Sequence, residues 1–172
     1  NSQLISLEGL SQLREIEGNV RIERSDSLRS LQGLHLVQNI QQRFTLNTNP
    51  SLQNLSGLDK LKTVGHNFEL SNNMSLETLD GLNELEEIGA SLYVTSNANL
   101  HSINGFAKLH SVANNVSFVD NGALTSFQGL EQLNSIPGYL YVKSNASLIS
   151  VDGLNSLQSI GTYLHLEKNN TL

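Results

Sequence analysis

The chain has 172 residues and a formal net charge of −6, from 10 Lys+Arg against 16 Asp+Glu, and it contains no cysteine. That balance leaves no basic stripe to neutralise phosphates, which argues against nucleic acid and anionic bilayers as partners. The lack of cysteine excludes a disulfide framework and thiolate metal sites. No stretch approaches the ~20 consecutive apolar residues of a membrane span, so no span is expected within the chain.

Leucine recurs at positions 4, 28, 52, 76, 100, 124, 148 and 172, always 24 residues apart. A coil this short cannot bury its apolar face alone and must bury it against its neighbours, so the period predicts a solenoid. One array fills residues 1–172, with repeats opening at Leu4, Leu28, Leu52, Leu76, Leu100, Leu124 and Leu148, and an eighth at Leu172. It begins and stops in mid-pattern without polar capping repeats, and it reads as part of a longer protein.

Within the repeat that opens at Leu100, Ile103 is followed by Gly105, one of a column running from Gly9 to Gly153. A positive φ is the expectation there, because glycine alone takes it without steric cost. Phe106 and Leu109, spaced by three, suit a single helical or 3-10 turn. Next comes Val112, in a column of only Ile and Val, where a short extended segment should start. Val116 and Phe118 alternate as a strand with one face inward. Asn121 closes the strand segment in a column of Asn49, Asn73, Asn97, Asn145 and Asn169, with Ser25 in the first repeat. A second polar column, Ser6, Ser30, Asn54, Thr78, Ser102, Ser126 and Ser150, precedes the second apolar position. Both columns are expected to satisfy buried backbone groups and to pass hydrogen bonds from coil to coil.

The segments LETLDGLNELEEIGASLYVTSNANL (Leu76 to Leu100) and LISVDGLNSLQSIGTYLHLEKNNTL (Leu148 to Leu172) carry the pattern Leu-x-Gly-Leu-x-x-Leu-x-x-Ile-Gly-x-x-Leu-x-Ile-x-x-Asn, in whole or with conservative changes. The strand segment fits the general leucine-rich-repeat signature, except that Asn97 precedes Leu100 by three rather than two and Ile88 precedes Leu92 by four rather than three. The pattern more closely resembles the L domain of insulin- and epidermal-growth-factor-type receptors, over the whole array. The lack of cysteine and the regular coils look closer to the microbial or fungal surface relatives of those domains. The resemblance implies a mainly β, right-handed β-helix-like solenoid with a parallel sheet, an extracellular or cell-surface setting, and ligand or adhesion binding on a sheet face. Hormone binding and kinase signalling are not part of that expectation.

Function should sit on the solvent side of the strands, where nothing structural dictates the residue. All four tyrosines fall in two such columns, and Tyr139, Tyr141, Tyr163 and His165 occupy two adjacent rungs, with Tyr93 two rungs away. Aromatic rings with polar tips anchor proteins and sugars, so these five residues form the candidate ligand-binding patch. Pairing of exposed strand tyrosines along a ladder is the competing expectation. Lys143 with Glu167, and the alternating rows Lys60, Glu84, Lys108 and Lys62, Glu86, His110, read as surface ion pairs. The five histidines share no column and no metal-ligand spacing, and neither a GxSxG segment nor a Walker loop occurs. No catalytic residue, metal or cofactor is therefore expected. Of five N-x-S/T sequons, Asn115 is the one candidate for glycosylation, because the others fall in the polar ladders. The expected function is a non-catalytic cell-surface or secreted module that binds a protein or glycan; the alternative is a structural spacer in a large wall or adhesin protein.

Overall fold

A computed structural model describes residues 1–172. Two strands recur in every coil. The short ones are β1 (Glu15–Ile16), β3 (Asn39–Ile40), β5 (Thr63–Val64), β7 (Glu87–Ile88), β9 (Ser111–Val112), β11 (Ser135–Ile136) and β13 (Ser159–Ile160). The long ones are β2 (Val20–Glu23), β4 (Phe44–Asn47), β6 (Phe68–Ser71), β8 (Leu92–Thr95), β10 (Val116–Val119), β12 (Leu140–Lys143) and β14 (Leu164–Glu167). The long strands form one seven-stranded parallel sheet in chain order. Its register is a shift of one repeat, as in Ser117 opposite Tyr93 on one side and Tyr141 on the other. The molecule is thus a β-solenoid whose six turns link seven rungs.

The short strands make a second wall, and it is split into β1-β3-β5-β7-β9 and β11-β13. In neighbouring coils the residue after the short strand donates its N–H to the coil before, as from Gly65 to Ile40, Gly89 to Val64, Ala113 to Ile88 and Gly161 to Ile136. At the same place in the sixth coil stands Pro137, which has no N–H to give Val112. The break is therefore written by one residue.

Between the walls lies one core cluster of 37 buried apolar residues. Phe44 stacks on Phe68 with ring centroids 5.0 Å apart, and Phe118 meets Phe127 edge-on at 5.1 Å. Phe106 and Leu109 lie in successive i to i+3 turns, Ile103 to Phe106 and Phe106 to Leu109, but only Glu8–Leu10 and Asn104–Phe106 close as 3-10 helices.

The asparagine column is buried and joins coil to coil. Asn121 Oδ1 accepts the backbone N–H of Asn97 at 3.1 Å, while Asn121 Nδ2 donates to the Val94 carbonyl at 2.9 Å. The serine column behaves differently from expectation. Ser150 Oγ accepts the N–H of Asp152 at 2.8 Å and Asn54 Oδ1 that of Ser56 at 3.1 Å, both within one coil. A hydroxyl two residues ahead of an exposed turn is closer to its own backbone than to the next coil, so this column caps locally instead of laddering.

The glycine expectation is corrected in part. Positive φ occurs at Gly33, Gly57, Gly81, Gly129 and Gly153, whereas Gly9 and Gly105 sit in the 3-10 helices. At Gly105 a Cβ would still collide with the Leu79 carbonyl of the preceding coil. Close stacking of coils, more than turn type, demands glycine there. The second left-handed column had no glycine to announce it: Arg24, Thr48, Asn72, Ser96, Asp120, Ser144 and Lys168 all have φ between 50° and 58°. Each follows a long strand and turns the chain so that the next residue, Ser25 in the first coil and the ladder asparagine in the others, points inward.

Candidate functional site

The outward side of the long sheet is a grid of three columns across seven rungs. The column before each strand holds Asn19, Arg43, Asn67, Ser91, Asn115, Tyr139 and Tyr163. The middle column holds Arg21, Thr45, Glu69, Tyr93, Ser117, Tyr141 and His165, aligned by the strand register. At ~4.8 Å per rung the face runs for roughly 29 Å.

The structure places the five predicted residues on one face in two groups, Tyr93 with Tyr139 and Tyr163, and Tyr141 with His165. Tyr139 and Tyr163 stack nearly parallel, 13° between planes and 4.8 Å between centroids. Tyr141 meets His165 edge-on at 4.9 Å. Tyr93 reaches across the intervening rung: its hydroxyl lies among Ser91, Asn115 and Tyr139. That leaves Ser91 and Ser117 only 2% and 5% exposed although both belong to the outward face. Burial pushes the Tyr93 hydroxyl upward, but the polar side chains of Ser91, Asn115 and Tyr139 around it outweigh this and hold its pKa below the ordinary value. Tyr139 is pushed up to about 12, first by burial and then by the hydrogen bond with Tyr93. Because the tyrosine stack runs along the solenoid, ring faces meet each other, and the cluster offers ring edges and hydroxyls to solvent.

Asn115 is half-buried beneath this cluster, and its Oδ1 accepts the backbone N–H of Tyr139 at 3.1 Å. It belongs to a broken polar ladder of its own, although its place in the sequence sets it apart from the other ladder asparagines. Asn67 Oδ1 accepts from Ser91 N–H at 3.3 Å and Ser91 Oγ from Asn115 N–H at 3.2 Å.

Lys143 pairs with Glu167 at 3.0 Å across one rung, and Lys108 with Glu84 at 2.7 Å. The His110 ring lies 3.6 Å from the Glu87 carboxylate, while its backbone N–H donates to the carbonyl of Glu86, its column neighbour, at 3.0 Å. No group of three His, Asp or Glu side chains is arranged to hold a metal ion, and no helix is long and apolar enough to cross a membrane.

The first three rungs carry a feature that sequence reasoning missed, a polar basin of about 390 Å³ that includes Arg21, Glu23, Arg43, Thr45 and Glu69. Arg21 Nε lies 2.8 Å from Glu23, and Arg43 Nε 3.4 Å from Glu69. Glu69 also accepts from Thr45 Oγ1 at 3.3 Å and Asn67 Nδ2 at 3.0 Å. No column within it repeats one residue type from coil to coil, so only the register reveals it. No protein-family model, curated protein or solved structure compared with this chain matches it.

Proposed function

We propose that the chain is a non-catalytic binding module, secreted or displayed at a cell surface, that recognises a protein or glycan through the outward face of its long sheet. The supporting observation is the contrast between faces. Inward columns repeat apolar residues and asparagine in every coil, while the outward grid changes from a charged basin to a tyrosine cluster over seven rungs. Invariant inward columns make the frame, and residues free of that frame can be fitted to a ligand. The surface setting rests on the resemblance of the repeat to receptor L domains, closest to their microbial or fungal surface relatives.

The experiment is replacement of Tyr139, Tyr141 and Tyr163 by alanine, with binding of the labelled chain to intact cells and to glycan and protein arrays as the readout. Binding weakened by about tenfold or more at an unchanged melting temperature supports the tyrosine face. A second reading, that the segment is a spacer in a larger wall or adhesin protein, is favoured by the mutual pairing of the tyrosine rings. No binding by the parent supports the spacer, whereas undiminished binding in the triple variant places the ligand elsewhere than on the tyrosines.

A further inference from the structure

We infer that the basin on the first three rungs is a distinct subsite for a neutral, polyhydroxylated ligand, that is, an uncharged glycan chain. This deepens, and rests on, the reading of the outward face as a binding surface, and it assigns a site separate from the tyrosines.

Charge is the first argument. The basin holds two guanidiniums, and each is matched by a carboxylate, Arg21 by Glu23 at 2.8 Å and Arg43 by Glu69 at 3.4 Å. The local charge therefore cancels, within a chain whose net charge is −6. An anionic ligand would have to break those pairs and approach a like-charged molecule, and a cation would meet carboxylates already engaged.

Donor and acceptor supply is the second argument. Arg21 and Arg43 pair through Nε, which leaves the Nη donors of each fork available. Arg21 is largely exposed, at 73% of its side chain. Carboxylate oxygens and the hydroxyl of Thr45 alternate with these donors at rung spacing. A vicinal pair of hydroxyls donates and accepts at once, so a sugar ring can use both kinds of group without bringing charge. Glu69 is held by Thr45 and Asn67 as well as Arg43, so its orientation is fixed before a ligand arrives.

Shape is the third argument. About 390 Å³ falls within the roughly 300–1,000 Å³ of small-ligand sites. Val20 is the one apolar side chain of its lining, so there is no hydrophobic anchor pocket such as a protein hot spot fills. The lining spans three successive rungs, along which a linear chain of rings could lie.

The test is an amide-resolved NMR titration of the intact chain with laminarihexaose, mannohexaose and chitohexaose, and with polygalacturonate as the charged comparator. At least one neutral hexasaccharide should shift the amides of Arg21, Arg43, Thr45 and Glu69, to the same extent at low and high salt. Arg43→Gln and Glu69→Gln should each weaken that binding about tenfold, with a native spectrum elsewhere. The shifts should persist in the Tyr139, Tyr141 and Tyr163 alanine variant, since the basin centre lies about 19 Å from those rungs. Shifts with polygalacturonate alone that vanish in salt would overturn the inference in favour of an anion site. No basin shift with any neutral hexasaccharide would also overturn it. Shifts confined to the tyrosine rungs would do so too, while leaving the broader reading of the face intact.

Discussion

Asn97 and Asn73 are 24 residues apart, and a single oxygen joins them: Asn97 Oδ1 accepts both the backbone N–H of Asn73, at 3.1 Å, and its side-chain Nδ2, at 3.3 Å. Asn97 in turn gives its own amide to the Leu70 carbonyl at 3.2 Å. Asn97→Ala therefore strands a buried donor and a buried acceptor and should cost about 2–5 kcal/mol in denaturant unfolding. Asn97→Asp keeps the acceptor but loses the donors and buries a charge, so it should destabilise more than alanine does. Equal stability of the parent and both variants would refute the ladder.

Burial along one column can be tested with one kind of side chain. Leu92 is fully buried, while Leu164, in the corresponding place on the last rung, is 56% exposed. Leu92→Ala should cost about 2–5 kcal/mol, and Leu164→Ala much less, as read from the shift in urea midpoint at constant slope.

Non-glycine residues in the left-handed region carry strain of roughly 1–2 kcal/mol, with Asn and Asp tolerated best. Ser96, at φ 55°, should gain about 0.5–1 kcal/mol on replacement by glycine, after the extra unfolded-state entropy of glycine is discounted. Asn72, at φ 56°, should gain little from the same change. Thermal melts of the two variants provide the comparison.

Lys143, through its hydrogen bond, lowers the Glu167 carboxyl to about 2; burial opposes this, and Lys168 and His165 add to it. A depressed folded pKa means that the pair contributes fully above the ordinary carboxylate range and is lost as pH falls through about 2. Carboxyl-resolved NMR should find Glu167 still ionised at pH 3, and Lys143→Met should return its midpoint toward 4.5.

Tyr139 shows the opposite sign. Its raised pKa favours the protonated form in the fold, so its contribution is whole below the usual value of 10 and is lost as pH rises through about 12. Tyr93→Phe removes the hydrogen-bond partner and should lower the Tyr139 midpoint in an ultraviolet titration; an unchanged midpoint would sink the link between the two hydroxyls.

The coil, its inward columns and the asparagine ladder were legible because each position repeats one chemical type, as Leu100 and Asn121 do in their columns. The nearness of Tyr139, Tyr141, Tyr163 and His165 followed from the period alone. The left-handed column was hidden because residues as different as Arg24, Ser96 and Lys168 adopt it, forced by the coil rather than by their own preference. The Asn67, Ser91 and Asn115 ladder is not legible in the sequence, because its column mixes residue types and position on a strand does not reveal that Tyr93 will fold over the next rung. The pairing of Arg43 with Glu69 depends on rotamers that periodicity does not set.

Pro137 leaves the long sheet continuous and interrupts strand pairing between β9 and β11 in the wall behind it. The coils stay joined there, since the Gly138 N–H still donates to the Asn114 carbonyl at 3.0 Å. The missing amide hydrogen thus falls behind the rungs that bear Ser117 and Tyr141, and the outward grid keeps its register across it.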